Sequence, residues 1–184
     1  MIKVVYKPLG LTSLEAILEF KNMNSEYENT PITFAGRLDP MAEGALLLLI
    51  GEDRHKKPDY LKLDKEYVAD ILLGFETDSH DALGLLATKG YDSQFSKVKL
   101  SKIRKEVKKL EGEHTLPFPV YSSYKVKGKP LFYWAREKRL DEIEVPLKEM
   151  EVLSATLEDI KEVSAEKLLK IIADRIDLVQ KDMR

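Results

Sequence analysis

Ala35-Gly36-Arg37-Leu38-Asp39-Pro40-Met41-Ala42-Glu43-Gly44-Ala45-Leu46-Leu47 is the stretch on which the reading of this 184-residue chain turns. It places an acid in an Asp-Pro turn. A run of apolar residues follows from Ala45 to Ile50, bounded by Gly44 and Gly51. A strand-sized run closed by glycines predicts a buried strand. Asp39 is then one of two things: a plain turn-former, or a carboxylate fixed at the edge of a core.

Outward from this stretch, strands and helices mix. Ile2–Tyr6 reads as a short strand that stops at Pro8-Leu9-Gly10. Thr12 or Ser13 caps a helix through Leu14, Ile17 and Leu18, and residues 22–31 read as loop. Tyr67–Leu73 is a further strand candidate, closed by Gly74. Residues 76–83 form a polar loop, after which Leu85–Thr88 pairs back as a strand. Ser101 caps a helix carrying Ile103, Val107 and Leu110 on one face. Tyr121–Val126 reads as a strand, Lys127-Gly128 as a turn, and Pro130–Arg139 as a helix with proline at its first position. Val145–Leu157 alternates like a strand. Leu168, Leu169, Ile172, Ile176 and Val179 have helix spacing within a last segment from Ser164 to Met183. The fold class expected is α+β.

Composition bounds the chemistry. The chain has no cysteine, which excludes disulfides, a thiol nucleophile and cysteine-ligated zinc. No apolar run has the length of a membrane span, the start lacks the pattern of a signal peptide, and a cytoplasmic protein is the default expectation. The net charge of −2 hides an asymmetry. Residues 140–184 hold 12 acidic and 7 basic residues, whereas residues 1–139 hold 20 acidic and 23 basic. Two basic clusters stand out. One is Lys97, Lys99, Lys102, Arg104, Lys105, Lys108 and Lys109; the other is Lys125, Lys127, Lys129, Arg136, Lys138 and Arg139. Local patches of this kind, rather than net charge, are what a phosphate backbone meets. The first cluster reads either as a solvated helix face or as a surface that steers RNA. In the second, Tyr121, Tyr124, Phe132, Tyr133 and Trp134 interleave with the cations, a pattern that suits RNA as well as an amphipathic helix.

Five segments, in order, carry a family resemblance. Residues 36–44 resemble the G-x-L-D-P-x-A-x-G motif of TruB-type pseudouridine synthases. Lys7-Pro8-Leu9-Gly10-Leu11-Thr12-Ser13 resembles the family's K-P-x-G-x-S-S, and Lys65-Glu66-Tyr67 its K-x-Y. Residues 77–84 resemble T-D-T-x-D-x-x-G, and residues 121–136 resemble Y-S-A-x-K-x-x-G-x-x-x-Y-x-x-A-R. The matches span residue 3 to about residue 155. Each motif alone is weak; five in the right order and spacing are specific.

The resemblance implies a mixed, mainly antiparallel sheet flanked by helices. Residues 1–157 would be the catalytic core and residues 158–184 a C-terminal helical segment. It implies isomerisation of uridine to pseudouridine in RNA, at uridine 55 in the T-loop of tRNA, with no cofactor, metal, membrane or obligatory protein partner. By motif position Asp39 is the catalytic carboxylate, as a nucleophile or as the base of an elimination. Tyr67 stacks on the target base and carries a proton; read from the residue alone, it is an ordinary core tyrosine. Phe34, Gly36, Arg37, Lys7, Tyr121, Lys125 and Arg136 are the expected substrate-side residues. The role of Lys7 there is to support the site's floor. Phe34 departs from the family, which has histidine there; it either stacks on the base or packs under the Asp39 loop. Asp78 and Asp81 read as loop-capping acids rather than metal ligands.

The family's later K-G-T-Y-I-R motif, whose arginine pairs with the catalytic aspartate, has no counterpart after Leu153, and the PUA domain has none either. A C-terminally incomplete core is therefore expected, with the last helix covering exposed apolar surface or mediating self-association. The alternatives to a tRNA enzyme are a catalytically impaired RNA-binding or RNA-chaperone module, and a synthase acting on ribosomal RNA.

Overall fold

The computed structural model describes residues 1–86 and 98–179. It is α+β and groups into two compact units: Met1–Ile71 together with the chain from Val163 onward, and Leu72–Glu162. No helix among the described residues is long and apolar enough to cross a membrane.

The first unit is built on a three-stranded antiparallel sheet in the order β1-β3-β2: β1 (Ile2–Lys7), β3 (Gly44–Ile50) and β2 (Ile32–Ala35). The apolar run is the middle strand, as predicted. It pairs Lys7 with Gly44 and Ile2 with Leu49 on one side, and Ala35 with Leu47 and Ile32 with Ile50 on the other. Leu46, Leu48, Leu49 and Ile50 are all buried, whereas Ala45 on the face of Leu49 lies exposed beside Val4 and Tyr6 of β1. Each such side chain contributes about 1.5–3 kcal/mol when fully removed from water.

Helix α1 (Ser13–Met23) covers one face, with Ala16, Ile17 and Phe20 packed on Leu46, Leu48 and Ile50. Its start follows from chemistry visible in the sequence. Thr12 accepts from the Glu15 N–H and Glu15 reaches back to the Thr12 N–H, a capping box. A short helix α2 (Lys57–Tyr60) follows a 3₁₀ turn over Gly51–Lys56. The unit ends in α5 (Ala165–Leu178), capped by Ser164, with the next residue, Val179, buried.

The second unit holds α3 (Leu100–Lys108), a ribbon of β4 (Gly112–Pro117) and β7 (Leu147–Val152), and a hairpin of β5 (Lys125–Val126) and β6 (Lys129–Pro130). The hairpin turn has Lys127 at φ 49° and Gly128 at φ 79°. Two positive φ values match the twist of adjacent strands, and glycine makes the second inexpensive. Helix α4 (Leu131–Arg136) buries Leu131 and Trp134, and the Trp134 indole N–H donates to Val126 O at 3.2 Å.

Several expectations are corrected. Tyr67–Leu73 forms no strand, and Tyr67, Val68 and Ile71 lie exposed. Its residues favour strands, but that preference is realised only against a pairing neighbour, and none pairs with it among the described residues. Tyr121–Val126 is strand only at its last two residues. Pro130 is the N-cap of α4, not its first residue. Helix α3 begins after Lys99 without a side-chain cap, so Ser101 does not start it. The pairing expected of Leu85–Thr88 is a single bridge, Thr77 to Leu86; Ala87 and Thr88 lie outside the described residues.

Candidate active site

The Asp39 loop leaves the sheet where β2 ends and returns where β3 begins. Glycines with positive φ bracket it, Gly36 at 81° and Gly44 at 135°. The acid opens a tight turn, Asp39-Pro40-Met41-Ala42, closed by the Ala42 N–H donating to Asp39 O at 2.9 Å. Proline suits the second position of such a turn because its ring presets φ. The Asp39 side chain lies exposed at the tip.

The segment after β1 holds this loop at two points. The Ser13 hydroxyl donates to Leu38 O at 3.1 Å and accepts from the Leu38 N–H at 3.1 Å. The Gly10 N–H donates to Pro40 O at 2.8 Å. The residues on either side of Asp39 are thus hydrogen-bonded to residues 10 and 13. By residue type, Thr12 and Ser13 both suit a helix cap. The capping box assigns Thr12 to the helix, and Ser13, buried at 3% exposure, serves the loop.

Lys7 pins that segment from beneath. It is fully buried, and its Nζ donates to Pro8 O at 2.8 Å and Leu11 O at 2.7 Å. Burial pushes its pKa down from the ordinary lysine value, against the pull of the Asp39, Glu43 and Glu15 carboxylates. A buried ammonium within electrostatic reach of Asp39 therefore lies under the loop. At the loop's far end, the Tyr6 hydroxyl donates to Glu43 Oε2 at 2.5 Å, and this bond raises the tyrosine's pKa.

Gly10 has a second neighbour. Its φ is 95°, and a Cβ there would lie 2.5 Å from Leu178 O, at the end of α5. Glycine is needed for the conformation and for the close approach. The glycine that holds Pro40 is also the seat of the C-terminal helix.

The other candidates divide by unit. Phe34 is half-buried and packs against the core cluster, with Lys57 Nζ 5.0 Å from its ring centroid. Arg37 is exposed beside the loop. Tyr67 is 68% exposed. From its K-x-Y segment it is Lys65 that approaches the loop: its Cε lies 3.9 Å from where a Gly36 Cβ would be, while its Nζ donates to Leu61 O and Leu63 O.

In the second unit, the Tyr121 hydroxyl donates to Asp78 Oδ2 at 2.8 Å, which joins two of the five motif segments. That bond raises the Tyr121 pKa and lowers that of Asp78. Asp78 and Asp81 cap their own loop: Asp78 Oδ1 accepts from the Leu85 N–H at 2.8 Å and Asp81 Oδ1 from the Leu83 N–H at 2.9 Å. Gly84 closes it, since a Cβ there would meet Ser79 Oγ at 2.2 Å. Lys125 and Arg136 are exposed, and the Arg136 guanidinium lies 5.4 Å from the Phe132 ring centroid.

Comparison with known proteins bears on what this loop is for. The model of the TruB family pseudouridylate synthase N-terminal domain matches residues 25–173. The tRNA pseudouridine synthase B of Endomicrobium trichonymphae is 35% identical over 151 residues, covering 80% of this chain and 63% of that protein. Its counterpart in Caldicellulosiruptor saccharolyticus is 34% identical over 145 residues, covering 79% and 47%. The counterpart in Francisella tularensis is 29% identical over 168 residues, covering 87% and 52%. The chain thus spans roughly half to two thirds of the length of these relatives. The match runs through the Asp39 loop and both units, and the chain belongs to the TruB family of pseudouridylate synthases.

Proposed function

We propose that this chain isomerises uridine to pseudouridine in tRNA, at uridine 55 of the T-loop, with Asp39 as the reacting carboxylate. The reaction breaks the C1′–N1 bond, turns the base and joins C1′ to C5; C5 gives up its proton and N1 takes one. Nothing is oxidised and no group leaves, so the chemistry calls for an oriented carboxylate rather than a cofactor or metal. The observation that carries the reading is the fixing of Leu38 and Pro40, the two neighbours of Asp39, by Ser13 and Gly10. A loop held in this way fixes the backbone from which the carboxylate projects before substrate arrives, and pre-positioning is what lowers the cost of reaching a reactive geometry. The same placement serves nucleophilic attack or elimination.

In this reading the target base leaves the RNA stack at a cost of a few kcal/mol. Tyr67 repays part of it by stacking, at about 1–3 kcal/mol. Gly36 gives the loop its turn, and Lys7 supports it from below. Arg37, Lys125 and Arg136 meet phosphates, while Phe34 and Tyr121 shape the base side. Residues 1–157 act as the catalytic core, in the cytoplasm, and residues 158–184 are a C-terminal segment that includes α5.

The test is release of tritium from uridine C5 by the purified chain, with a T-loop hairpin set against ribosomal hairpins. Release from the T-loop hairpin alone supports the assignment; release from ribosomal hairpins alone reassigns the substrate. The exposure of Tyr67, off any strand, favours a second reading. In it the chain binds RNA through the same surfaces without turnover, and no hairpin releases tritium although binding is measurable.

A further inference from the structure

Helix α3 carries more cations than its own surface uses. Ile103 and Val107 lie half-buried on one side. Lys102 and Lys105, three residues apart, share the opposite side, and exposed Arg104 flanks them. Lys108 and Lys109 are neutralised within the protein, by Glu111 at 2.7 Å and Glu106 at 2.8 Å. Lys102, Arg104 and Lys105 have no ion pair or hydrogen-bonded side-chain partner among the described residues. The helix also differs from the other long helices. α1 and α5 each place an acid in the first turn, Glu15 and Glu166, whereas α3 places none. A merely solvated helix gains by mixing signs along its exposed side. Three exposed cations outside any ion pair among the described residues, two of which share the single carboxylate of Glu106 with Lys109, are the footprint of a polyanion.

We propose that Lys102, Arg104 and Lys105 on α3 form a docking surface for the phosphate backbone of RNA. The proposal rests on the reading that RNA is the substrate, and it adds a contact surface that none of the five motif segments contains. It commits to backbone contact, because the three side chains offer charge and no aromatic face for reading bases.

The test is the salt dependence of binding, measured by fluorescence anisotropy with the full chain and a labelled T-loop hairpin. Each phosphate contact contributes about 0.7–0.9 to the slope of log affinity against log salt. The triple variant Lys102→Gln, Arg104→Gln, Lys105→Gln is expected to lower that slope by about 2 and to weaken binding about tenfold or more at low salt. The double variant Lys108→Gln, Lys109→Gln removes cations that already have partners, and should shift the slope by less than about 1. Circular dichroism establishes that both variants are folded. A triple variant with the wild-type slope overturns the proposal, as does polyglutamate competing as well as RNA, which assigns the surface to an acidic protein. Binding that behaves as expected without tritium release leaves this surface standing and removes only the catalytic reading. A wild-type chain that binds no RNA at low salt removes both.

Discussion

Ser13 Oγ holds both backbone polar groups of Leu38, donating to the carbonyl and accepting from the N–H at 3.1 Å each. One buried hydroxyl thereby sets the plane of the peptide that leads into Asp39. Replacing Ser13 by alanine leaves two backbone groups without their partner, at a cost of about 1–3 kcal/mol for each that stays buried. Ser13→Ala is expected to lower stability by that order in chemical denaturation. It should lower kcat for tritium release more than it raises KM, because binding surfaces elsewhere are untouched.

Lys7 tests whether charge or shape matters under the loop. Lys7→Met keeps most of the volume but strands the Pro8 and Leu11 carbonyls. A loss of about 1–3 kcal/mol is expected in denaturant melts. The same change removes a positive charge within reach of Asp39. Tritium release at saturating RNA should therefore fall, because the cation beneath the loop is lost together with the two hydrogen bonds that hold the segment after β1. An unchanged kcat with lowered stability would confine Lys7 to a part in folding.

Gly10 couples the C-terminal helix to the loop. In Gly10→Ala the new Cβ meets Leu178 O in a conformation that alanine resists. The backbone strain alone costs about 1–3 kcal/mol. Hydrogen exchange should quicken in α5 and in residues 38–42 together. Faster exchange in only one of the two would show that they are not linked through this glycine.

Asp53 gives a pH signature of the first unit. Lys56 at 2.7 Å, followed by the Met1 amino group, holds its pKa down to about 2. A depressed acid stabilises the fold above its ordinary pKa near 4 and loses that contribution as pH falls through the folded value. The stability difference between wild type and Asp53→Asn should therefore be full at pH 6 and shrink between about pH 4 and pH 2. A difference independent of pH over that window would contradict the pairing.

How much of this was legible follows from where each signal lies. The central strand could be read because an apolar run bounded by glycines needs no knowledge of its neighbours, and α1 because its capping box is local. β2 could not: Ile32-Thr33-Phe34-Ala35 is four residues without a pattern, and is a strand because β3 offers an edge. Tyr67–Leu73 fails for the complementary reason, having strand-favouring residues and no pairing partner among the described residues. Motif position singled out Asp39, but not what holds it. A lysine at a strand end reads as exposed, and only the folded backbone shows that the Pro8 and Leu11 carbonyls bury and satisfy Lys7. The Tyr121–Asp78 bond spans 43 residues and was likewise out of reach of local reading.

The proposed chemistry stands on the Asp39 carboxylate. Its most direct test is tritium release from C5-labelled uridine in a T-loop hairpin by wild type and by Asp39→Asn, at equal occupancy of RNA and with both shown to be folded. Wild type should release tritium and the variant none above background, with RNA affinity retained. Release by Asp39→Asn at the wild-type rate would contradict it.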